Sequence, residues 1–70
     1  MNPFKKNRNA AGLTQQTVAD KLGVYQSTVA MWEAGDNKPR ADILPQIAKL
    51  YNCTIDDLLR EPGAGDPGAS

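Results

Sequence analysis

The feature that most constrains this chain is the shortness of its apolar stripes and the regularity of the residues that interrupt them. Val18, Ala19 and Leu22 share one face of a helix, as do Val29 with Trp32, Ile43/Leu44 with Ile47/Ala48 and Leu50/Tyr51, and Ile55 with Leu58 and Leu59. That is the spacing of amphipathic helices, and no stretch alternates with period two for long enough to make a strand. The chain is therefore read as all-α, a compact five-helix bundle.

The breakers place the boundaries. A first helix is expected near Pro3 to Ala11, ended by Gly12, and a second from Gln15 to Leu22. Thr14 is suited to cap the second, because its hydroxyl can accept from a free amide of the next turn. Gly23 ends it in the left-handed conformation that glycine adopts cheaply. A third helix runs from about Gln26 to Ala34 and stops at Gly35, before the Asp36–Arg40 loop with Pro39. The fourth is expected over Ala41–Tyr51 with Pro45 in its first turn, where a missing amide donor costs little. Thr54 and Asp57 form a capping-box pattern that opens a short fifth helix to about Arg60. Residues 1–60 make the expected domain; 61–70 hold three of the six glycines and two of the five prolines and read as a disordered tail or linker.

Seventy residues supply one domain and only a small core. There is no His and a single Cys53, which excludes an internal disulfide, a cysteine/histidine metal cage and a serine-hydrolase triad. No enzyme activity, cofactor, metal or small-molecule pocket is expected. No apolar run reaches the roughly 18 residues of a membrane span, and the N-terminus lacks the order of a secretory signal, so the chain reads as cytoplasmic. The net charge of +0 hides a gradient: residues 1–40 hold six positive and three negative side chains, and residues 41–70 hold two and five. A polyanion would meet the first part.

Two short helices joined across Leu22, Gly23, Val24 and Tyr25 make a helix-turn-helix. The run from Gly12 to Gly35, GLTQQTVADKLGVYQSTVAMWEAG, followed by IAKLYNCTIDDLL from Ile47 to Leu59, resembles the Cro/phage-repressor (XRE-type) helix-turn-helix regulators. The resemblance covers roughly residues 4–59 and implies a lambda-repressor-like DNA-binding domain whose third helix enters the major groove of double-stranded DNA. It also implies a repressor acting on a palindromic operator as a homodimer. A single module covers only about 600–1,000 Å² of DNA surface, which favours two copies on two half-sites.

At about 100° per residue, Val29, Trp32 and Glu33 share one side of the third helix and Ser27, Ala30, Met31 and Ala34 the other, with Gln26 and Thr28 at its exposed start. Gln26, Ser27, Thr28 and Met31 are the candidate base contacts. A carboxamide can pair with adenine N6 and N7, and a thioether can pack on a thymine methyl. Each also has a plainer reading, as a solvated first-turn residue, a local backbone bond or a padded surface. Gln15 at the start of the second helix, Tyr25, Lys38, Arg40 and Lys5 are the candidate phosphate contacts. By resemblance Arg8 and Glu33 form a structural ion pair, and Leu44, Pro45, Ile55 and Leu58 a dimer interface. Trp32 and Cys53 read as core residues.

Three departures from the family pattern stand out. Asn7 replaces an aliphatic residue, Tyr25 replaces a capping serine or threonine, and Asp36 occupies a position that is often basic. These changes bear on the strength of binding, while the zero net charge, the apolar Ala30/Met31/Ala34 surface and Asp36 support an alternative of another class: a protein-interaction module, antitoxin-like or an anti-regulator, on the same fold.

Overall fold

Side-chain caps begin three of the five helices in the computed structural model, which describes residues 2–60. Asn2 accepts from the Phe4 amide and starts α1, Pro3–Ala10, with Pro3 at a first-turn position where no donor is needed. Thr14 accepts from the Thr17 amide and starts α2, Gln15–Leu22. Thr54 and Asp57 bond each other's backbone amides reciprocally and start α5, Ile55–Leu59. The other two helices, α3 over Gln26–Ala34 and α4 over Leu44–Tyr51, begin on Tyr25 and Ile43 with no side-chain cap. Among the described residues there is no strand.

Helix ends follow equally local rules. Gly23 and Gly35 close α2 and α3 with φ of 73° and 83°, left-handed values that strain any residue with a Cβ. Asn52 closes α4 in the same region at φ 56°, the non-glycine type that tolerates it best. One boundary differs from the sequence expectation: α4 starts at Leu44 rather than Ala41. Residues 41–43 form a turn instead, which leaves Pro45 at the amino-terminal position where proline fits. The expected tail, 61–70, lies outside the described residues.

Each helix contributes to one core. Val18, Val29, Ile47 and Leu58, from four different helices, are at most 1% exposed, and Phe4 of α1 packs on Trp32 with ring centroids 6.5 Å apart. α2 and α3 pack closely as the helix-turn-helix pair, while α1 lies across α3, α4 and α5. Leu58 was expected at an intermolecular surface; at 1% exposure it is a core residue and has no surface to offer a partner. Cys53 is half-buried, and burial, reinforced by Asp57, pushes its thiol pKa upward. No helix among the described residues is long and apolar enough to cross a membrane.

Candidate nucleic-acid interface

The amino end of α3 is open to solvent. Val29 and Trp32 turn inward, whereas Tyr25 is 82% exposed and Gln26, Ser27 and Met31 are all exposed around it. Tyr25 stands at the cap position but its side chain bonds no amide, so the first turn of α3 keeps free N–H groups beside this cluster. Free amides and the positive end of the helix dipole favour an anion there.

The other end of α3 is tied down. Arg8 Nε donates to Glu33 Oε2 at 2.5 Å and its terminal nitrogen to Oε1 at 3.0 Å, a bidentate fork between α1 and α3. The remaining Arg8 nitrogen donates to the Leu13 carbonyl at 2.8 Å, which fixes the α1–α2 turn as well. Burial alone would raise the Glu33 carboxyl. The hydrogen bonds from Arg8 and Gln15, with the charges of Arg8 and Lys5, outweigh that and hold it below the ordinary 4.5.

Gln15 and Gln26, eleven positions apart in sequence, meet directly. Gln26 Nε2 donates to Gln15 Oε1 at 2.6 Å, and Gln15 Nε2 donates to Glu33 Oε1 at 3.0 Å. Thr28 is half-buried and, with Lys38 and Arg40, lines a cleft of about 440 Å³ between α3 and the loop that follows it. Lys38 and Arg40 are exposed, and Arg40 Nε lies 3.7 Å from Asp42, a solvated pairing of little energetic weight. Lys5 is exposed on α1.

The candidate interface residues separate. Leu44 is half-buried beside Leu58, Pro45 is exposed, and Ile55 is 37% exposed. Leu59, four residues beyond Ile55 and 57% exposed, shares the exposed apolar strip of α5 with it; the sequence reading put Leu59 on the apolar stripe but chose Leu58 for the interface, and the i, i+4 spacing was the available signal. The reading also left out Asn2, whose amide donates to the Trp32 carbonyl at 3.1 Å while its oxygen caps α1. An asparagine directly before a proline at a helix start was its signal. Tyr51 buries its hydroxyl without a partner among the described residues, and that burial pushes its pKa up to about 12.

Among the described residues no group of His, Cys, Asp and Glu could hold a metal ion. The family model described as helix-turn-helix matches residues 4–58. The chain is 36% identical over 52 residues to an Enterococcus faecalis protein named HTH-type transcriptional activator BcrR, covering 74% of this chain and 26% of that one. It is 35% identical over 64 residues to the HTH-type transcriptional regulator YobD of Bacillus subtilis, covering 91% and 57%. A transcriptional regulator of Archaeoglobus fulgidus is 36% identical over 55 residues, 79% of each chain. The chain thus spans about a quarter to a little over half of the bacterial relatives named here. No solved structure matches it significantly.

Proposed function

The chain belongs to the helix-turn-helix family, and from that premise we propose that it is a sequence-specific DNA-binding regulator, a repressor that works as a homodimer on a two-fold operator in the cytoplasm. It is not an enzyme. The observation that carries this reading is the joined Gln15/Gln26 pair at the exposed, uncapped start of α3. A helix presented in this way fits the major groove, where Gln26 would read an adenine edge and Ser27 and Met31 the neighbouring bases. Thr28, held back in the cleft with Lys38 and Arg40, is better placed beside the backbone than on a base. Gln15, Tyr25, Lys38, Arg40 and Lys5 would grip phosphates.

Selection from a randomised duplex pool tests this. The expected result is a two-fold-symmetric motif with adenine in each half-site, bound more weakly as salt rises, by about one unit of salt slope per neutralised phosphate. Gln26→Ala should erase preference at one base pair, a loss of about 1–3 kcal/mol. Absence of any enriched motif at low salt overturns the reading.

The exposed Ile55/Leu59 strip supports a second reading, a protein-interaction module of the antitoxin or anti-regulator kind. Salt separates the two, because an apolar contact hardly weakens with ionic strength.

A further inference from the structure

The cleft between α3 and the loop that follows it holds more than a phosphate grip needs. Its volume of about 440 Å³ falls within the range of small-molecule sites. One wall is apolar: Trp32 of α3 is 4% exposed, and Val24, Pro39 and Ile43 are half-buried. Buried tryptophans usually give their indole N–H a partner. Here Asn2 bonds the backbone carbonyl of Trp32, and no hydrogen bond among the described residues uses the indole N–H. Lys38, Arg40 and Asp42, all exposed, line the cleft as well, two cations against one carboxylate. A DNA strand would use the cations and leave the apolar wall in water. We propose that the cleft is an effector site for a small organic monoanion, an aryl carboxylate by class, whose occupation takes Lys38 and Arg40 away from DNA.

Each part of such a molecule meets a matching group. The Arg40 guanidinium offers a fork to the carboxylate, and the Lys38 ammonium a second point charge. Asp42, 3.7 Å from Arg40 Nε, is a solvated and weak competitor for that fork. Because Asp42 stays in the lining, one net positive charge remains, which favours a monoanion over a dianion. The flat body covers the wall, and burying apolar surface on both sides supplies the affinity that the exposed charges cannot. Val24 and Ile43 pack against the core, so this wall is part of the domain's own packing and is preformed. Gln26, Ser27 and Met31 lie outside the lining, so the ligand competes for the DNA backbone and not for a base contact.

The regulatory half rests on the DNA-binding proposal; the cleft itself does not, and two titrations separate them. Trp32 is the only tryptophan, so its indole N–H gives a single peak in a proton–nitrogen correlation spectrum. The 70-residue chain is titrated with benzoate, with benzamide, which lacks the charge, and with acetate, which lacks the body. Benzoate is expected to move that peak and the amides of Val24, Arg40 and Ile43 saturably, with a midpoint on the order of 1 mM. Both controls should bind about ten-fold more weakly. Arg40→Gln should weaken benzoate by about the same factor. Val24→Thr should weaken it about four-fold, the worth of one buried methyl group, and leave DNA binding without benzoate unchanged. In the second titration benzoate should release the selected operator, whereas acetate at equal ionic strength should not. If benzoate moves none of these peaks, or a control moves them equally, the proposal is overturned. If benzoate binds and the operator complex stays intact, the effector role is overturned. If the chain selects no DNA at all, the DNA-binding reading fails, and the first titration still decides the cleft.

Discussion

The two ends of α3 are built by opposite rules. Its carboxyl end closes on Gly35, buries Trp32 and is held through Glu33 by Arg8 of α1. Its amino end, one residue from the 82%-exposed Tyr25, has no side-chain cap at all, although α2 and α5 of the same chain begin on well-formed threonine caps. The chain therefore had the means to finish α3 and did not. What the missing cap forgoes is about 1 kcal/mol of helix stability, and what it leaves is free amides on the exposed face that we propose meets DNA. Rigidity is concentrated where the helix meets the core, and unsatisfied hydrogen-bonding capacity where it meets solvent.

Breaking the anchored end should have the largest effect. Arg8→Ala leaves the buried Glu33 carboxylate without its fork and is expected to cost about 3–5 kcal/mol, as breaking buried pairs generally does. In a domain this small, that should unfold most of the population at 37 °C, read by circular dichroism on heating. The same pair gives a pH signature. Glu33 ionises below the ordinary 4.5, so its contribution is complete above that value and is lost as pH falls through the lower folded-state value. Urea midpoints between pH 7 and pH 3 should fall on this limb, and Glu33→Gln should flatten it.

Changes at helix starts sharpen the contrast at smaller scale. Thr14→Ala removes a cap that is used and should cost about 1 kcal/mol in urea unfolding. Tyr25→Ser supplies a cap that is missing and should stabilise by somewhat less than about 1 kcal/mol. If Tyr25→Ser destabilises instead, the start of α3 is not the unfinished end described above. Tyr51→Phe should have the smallest effect at neutral pH, a slight gain from removing a hydroxyl with no partner. Its advantage should grow with alkalinity. The folded phenol ionises only at about 12, against 10.0 ordinarily, so the wild-type chain loses stability as pH rises between those values and the phenylalanine variant does not.

The parts of this molecule that were legible in its sequence are those fixed by near neighbours. Gly23, Gly35, Thr14 and the Thr54/Asp57 box act within one turn of their own position, and each helix end they mark stands where the residues put it. The start of α4 was misread because Ile43 carries no capping group and residues 41–43 have ordinary helical composition; the decisive signal was the steric preference of Pro45. Leu58 was misplaced because five residues make too short a helix for periodicity to separate Leu58 from Leu59. The Gln15–Glu33 bond spans 18 positions and depends on how α2 crosses α3, so no local pattern announces it. The outward residues of α3 were legible for another reason: burial of Val29 and Trp32 leaves the rest of the turn to solvent.

The way the core is assembled has a consequence for how the molecule comes apart. Phe4, Val18, Val29, Ile47 and Leu58 come one from each helix, so any helix that leaves exposes the apolar faces of the others. Among the described residues no helix is longer than nine residues, too short to persist alone in water. Slowly exchanging amides in all of them should therefore open through one common event rather than helix by helix. Within residues 2–60 a protease should find either an intact bundle or a fully cut one, with no shortened bundle that still holds α3 in place.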